Sequence, residues 1–145
     1  MRARDLVLLW LAAFVLIFPL NGLVHVGPGA ALFDRALGSV ASAAPMREGN
    51  PALAALIDVI LAGAMVLFFV RGRGRSGADG ALTGAVLGLV ASGTWNLANL
   101  IVVRGWPMSV AVGDVAWHVA LGAAAGLVLA RLAARLERRG ALAAA

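Results

Sequence analysis

The chain has 145 residues, 62% of them hydrophobic and only 13% charged, with a mean hydropathy of +0.94. A soluble domain of this length needs far more charged surface, so the composition excludes an ordinary globular protein and predicts one compact membrane domain over residues 1–145. There is no cysteine, which excludes disulfides and thiolate metal sites, and the net charge of +5 comes from arginines placed between apolar runs, a membrane pattern and not a nucleic-acid footprint.

The first apolar run extends from Leu6 to about His25. Some 20 residues at about 1.5 Å each give about 30 Å, the thickness of the hydrocarbon core. Ala41-Ser42-Ala43 resembles a signal cleavage site, but it lies about 15 residues past the end of a run too long for a signal peptide, so the run is read as a retained span. Gly27-Pro28-Gly29 closes it, and Ala31 to Leu37 predicts a short interfacial helix. The second span is predicted over 51–70, with Asn50 as cap and Pro51 at the first helical position. Arg71 to Gly77 is glycine-rich, but it lacks the Gly-Lys-Ser/Thr ending of a phosphate loop and reads as a basic surface loop. The third span is predicted over 81–103 and the fourth over 107–130, followed by a basic tail, 131–145.

Arginine placement gives the orientation. Arg2, Arg4, Arg71, Arg73, Arg75, Arg131, Arg135, Arg138 and Arg139 fall on one side of this four-span layout, and only Arg35, Arg47 and Arg104 on the other. The positive-inside rule then puts both termini in the cytoplasm. Rich Ala and Arg usage without any Lys points to a bacterial genome and hence to a bacterial inner membrane.

Polar residues within the spans carry the functional signal. Asn21 and His25 lie near the outer end of the first span and Asp58 about two turns into the second. Asn96 and Asn99 approach the outer end of the third, and Asp114 and His118 lie two to three turns into the fourth. All seven fall in the outer half of the bilayer by helix rise, roughly within 15 Å of its edge. Asp114, His118, Gly122 and Gly126 recur every four residues on one face, as do Gly80, Gly84, Gly88, Ser92 and Asn96. The two faces predict a tight seam of Gly84, Gly88, Gly122 and Gly126 in the inner half and a polar pocket in the outer half. Trp95 and Trp117 are placed to line that pocket, whereas Trp10 and Trp106 read as interfacial belt residues.

A carboxylate in hydrocarbon must be paired, protonated or hydrated, so Asp58 and Asp114 require partners among His25, His118, Asn96, Asn99 and Arg104. The plain alternative is that these groups only fasten helices together. No cofactor is predicted; His25 and His118 are the candidates for haem or another metal, but they sit about two turns apart in depth and no attachment motif is present.

The stretch Gly84 to Leu100, with Gly93-Thr94-Trp95-Asn96-Leu97-Ala98-Asn99 at its centre, followed by Arg104-Gly105-Trp106-Pro107 and Asp114-Val115-Ala116-Trp117, resembles a family of small bacterial inner-membrane proteins, domain of unknown function 2177. The resemblance implies four membrane helices and no established activity. It also implies departures: an Asp in place of Asn96, a Gly in place of His118, and an Asp-Trp pair where this chain reads Phe18-Pro19-Leu20-Asn21.

Three functions compete. The first is binding or transport of a small solute, proton or lipid-like molecule in the outer pocket. The second is an accessory subunit of a homo-oligomer or larger membrane complex. The third is a membrane enzyme acting on a lipid or isoprenoid, with Asp58, Asp114 and His118 as acid–base groups.

Overall fold

A computed structural model describes residues 3–38, 40, 51–71 and 76–142. Among these the chain is all helical: α1 Ala3–His25, α2 Ala30–Leu37, α3 Pro51–Arg71, α4 Gly77–Val102 and α5 Met108–Leu142. By length and composition α1, α4 and α5 can each cross a membrane, and α3 contains the apolar stretch Ala55–Phe68. Ala41 to Asn50, which includes the cleavage-like triplet, Arg47 and the expected cap at Asn50, lies outside the described residues, as do Arg73 and Arg75.

The helices start and stop where local chemistry dictates. α4 begins at Gly77, four residues before the sequence reading, because Ser76 caps it: Oγ accepts from the Asp79 amide at 3.0 Å and donates to Asp79 Oδ2 at 2.6 Å. Asp79 stands at the third helical position, where its carboxylate also meets the positive end of the helix dipole. At the other end Val103 is extended, and Gly105 takes a φ of 83°, a left-handed turn that suits glycine. α5 does not stop at residue 130. It runs on through Leu142, because Ala, Leu, Arg and Glu are strong helix formers and nothing in 131–139 breaks the ladder. The basic tail is therefore helical as far as Leu142.

α4 and α5 form the closest pair in the bundle. A Cβ on Gly84 would fall on the Gly122 carbonyl, and one on Gly122 would fall on the Gly84 carbonyl. Gly80 and Gly126 stand in the same reciprocal relation, and a Cβ on Gly88 would fall on the His118 carbonyl. Backbones this close are possible only without side chains, and the contact replaces the hydrophobic drive that lipid does not supply. α1 packs against α5, and α3 packs chiefly against α1 while touching both α4 and α5. Leu9, Ala13 and Ile17, spaced every four residues, meet Ala62, Met65 and Val66 of α3 and Leu121, Ala125 and Leu129 of α5.

The outside of the bundle is apolar. Val15, Ile60, Leu82, Leu97, Ile101 and Val112 are all exposed, which is the surface of a protein in contact with lipid. α2 lies across the end of the bundle farthest from the described chain ends. Its Phe33, Ala36 and Leu37 pack with Val40, Val103, Trp106 and Val110 into a small second cluster.

Candidate functional site: a polar cluster among four helices

The cluster occupies the half of the bundle distant from the described chain ends, and α1, α3, α4 and α5 all contribute to it. Asp114 of α5 is its centre, 8% exposed. One carboxylate oxygen, Oδ2, accepts from Ser92 Oγ at 2.6 Å and from Asn96 Nδ2 at 2.7 Å. The other, Oδ1, lies 2.8 Å from His25 Nε2 and 3.2 Å from His118 Nδ1. His118 Nδ1 also donates to the Asp114 carbonyl at 2.9 Å, one turn back on its own helix.

Asp58 of α3, 3% exposed, forms a second centre. Its Oδ1 accepts from Asn21 Nδ2 at 2.9 Å, and Asn21 Oδ1 accepts from Trp117 Nε1 at 3.0 Å. The Asn21 amide thus joins α1 to α3 and α5 at once. Among the described residues no buried side-chain nitrogen or oxygen lacks a hydrogen-bond partner.

The histidines are closer than helix rise suggests. Their rings lie 5.6 Å apart, although the two residues were read as two turns apart in depth. Side chains lean toward the N-terminus of their own helix. α1 and α5 run in opposite directions, so His25 and His118 lean toward one another and the depth difference closes. Phe33 of α2 also packs on His25, with ring centroids 4.8 Å apart.

Both ring nitrogens of His25 face acceptors. Nδ1 lies 3.2 Å from the Asn21 carbonyl and Nε2 lies 2.8 Å from Asp114 Oδ1.

Other residues are placed differently from the sequence reading. Trp95 is 64% exposed on the outside of α4 and does not line the cluster. It stands one residue from Asn96, about 100° round the helix, so burying Asn96 turns Trp95 outward. Asn99 is buried but donates to the Trp95 carbonyl one turn back, 3.0 Å away, and makes no hydrogen bond to either aspartate. Arg104 is exposed in the α4–α5 connection and pairs with neither aspartate. Trp106, read as a belt residue, turns its indole N–H inward to Asn96 Oδ1 at 3.3 Å. Trp10, read likewise, donates to the Val59 carbonyl of α3 at 3.3 Å.

Ser92 is the cluster residue that sequence reasoning counted only as a small packing residue. Its position one turn before Asn96, on the same face, was the available signal.

A family model described as "Predicted membrane protein (DUF2177)" matches residues 6–130. The chain belongs to the DUF2177 family. The matched region contains every residue of the polar cluster and ends at Ala130, short of the last turns of α5. No curated protein and no solved structure matches the chain.

Proposed function

We propose that this DUF2177 protein is a four-span protein of the bacterial inner membrane, both termini cytoplasmic, whose outer-half polar cluster binds and releases protons. The contact between His25 Nε2 and Asp114 Oδ1, 2.8 Å long with the other ring nitrogen already on an acceptor, carries this reading. Two carboxylates and two imidazoles in an apolar surround favour uptake of protons until the group is neutral, because each unbalanced charge costs several kcal/mol there. α3 serves as the fourth span, with its apolar stretch extended to the full Pro51–Arg71 helix.

Nitrogen NMR of the imidazoles in micelles tests the proposal. At neutral pH His25 is expected to show a protonated or proton-sharing Nε2. Asp114→Asn, nearly the same shape, should return it to an ordinary neutral ring. A His25 signal identical in the two proteins would overturn the reading.

The second reading is an accessory or structural subunit, in which the cluster only fastens helices. The complete pairing of buried polar side chains among the described residues favours it. The same spectra separate the two: a fastener keeps one protonation state across the accessible pH range, whereas a proton-binding cluster titrates.

A further inference from the structure

At the opposite end of the molecule a cavity of about 280 Å³ is bordered by Gly77, Ala130, Arg131, Ala134, Arg135 and Arg138. We infer that it binds the phosphate headgroup of an anionic phospholipid. The three arginines are spaced by four and three residues, so they share one face of α5. Among the described residues none of them has a carboxylate within ion-pair distance. Three guanidiniums round one hollow, unpaired among the described residues, are a donor set for phosphate oxygens, which they meet with paired N–H groups.

The floor of the hollow is made of small residues. Gly77, Ala130 and Ala134 leave the space open. A Cβ on Gly77 would already press on Leu127 Cδ1 at 2.9 Å, so the first turn of α4 sits hard against α5 there. At 280 Å³ the hollow falls just below the range of small-molecule clefts, about 300–1,000 Å³, and suits a headgroup better than a whole metabolite.

Position decides between a lipid and a free anion. Arg131 is 23 residues into α5, about 35 Å along it, which is where a helix starting at one face of the hydrocarbon core leaves the other. Val128, one turn before, is 41% exposed and apolar, and offers the acyl chains a surface directly below the arginines. A soluble anion makes no use of that surface; a lipid uses both.

Native mass spectrometry of the full chain, released from nanodiscs of equal phosphatidylglycerol and phosphatidylcholine, tests the site. The wild type is expected to retain phosphatidylglycerol in clear preference. At about a fivefold loss per arginine, Arg135→Gln should lose that much, and the combined Arg131→Gln, Arg135→Gln, Arg138→Gln variant on the order of a hundredfold. Arg139→Gln removes a neighbouring charge that does not border the hollow, and should leave the preference unchanged. Equal retention of the two lipids by the wild type, or equal losses in Arg135→Gln and Arg139→Gln, would show diffuse attraction and overturn the proposal. Displacement of the lipid by inorganic phosphate would assign the hollow to a free anion and overturn it too. These arginines are exposed, so the variants should fold, and unchanged circular dichroism and melting confirm that each comparison is fair.

Discussion

At the residue scale the cluster has two kinds of member. Asn21 and Asp114 join different helices, whereas Asn99 bonds only within its own. Their substitutions should therefore differ although all three are buried or partly buried. Asn21→Ala strips Asp58 of its donor and Trp117 of its acceptor, and should cost about 1–3 kcal/mol. Asn99→Ala removes one local bond to a carbonyl that already serves its own helix, and should stay below about 1 kcal/mol. Thermal melting of both variants in the same detergent checks the order; equal losses would mean that the interhelical bonds add nothing.

Helix rise turns residue number into height, so the sequence could group these residues toward one end of the bundle. Azimuth was less readable. Trp95 and Asn96 are neighbours in the chain and point to different surroundings, and only the packing of α4 against α5 decides which one is buried. Trp106 was similarly ambiguous: an indole near a helix end serves an interface or a buried acceptor, and Asn96 Oδ1 supplied the acceptor.

At the element scale the hydrophobic runs located all four long helices, and the short amphipathic run located α2. The ends were harder, since apolarity marks where a helix enters lipid and not where its hydrogen bonding begins. Ser76-Gly77-Ala78-Asp79 set the start of α4 by capping, and the Ala-, Leu- and Arg-rich segment after Ala130 carried α5 well beyond its apolar part. The α4–α5 seam gives a prediction with an internal control. Gly84→Ala forces the backbones apart at the Gly122 carbonyl and should cost more than about 2 kcal/mol, or block folding. Gly113→Ala, on α5 with nothing within 4 Å of the added carbon, should be neutral or stabilise by up to about 1 kcal/mol. Melting temperatures that fall equally in both would show that helix propensity, and not close approach, governs these positions.

At the scale of the whole molecule the four-span, ends-in arrangement is open to a direct test, because the natural chain has no cysteine. Single cysteines replacing Ser76 and Ala141 should react with an impermeant thiol reagent from the cytoplasmic side of oriented vesicles. One replacing Leu32, 70% exposed on α2, should react from the other. Labelling of all three from one side would remove the proposed topology, whatever the chemistry of the cluster.

Two aspartates and two histidines share the far half of the bundle, and with two protons aboard they sum to zero. A neutral group feels no force from a transmembrane voltage. Once loaded the group is indifferent to membrane potential, whereas each loading or unloading step carries a proton across part of the field. A proton that departs leaves one unit of charge behind, on which the field acts with at most about 2.3 kcal/mol per 100 mV for a full crossing. In the proposed topology the cluster lies in one half of the bilayer and senses only part of that drop. The equal count of acids and bases therefore makes voltage a weak influence on the filled state and a stronger one on the emptied state.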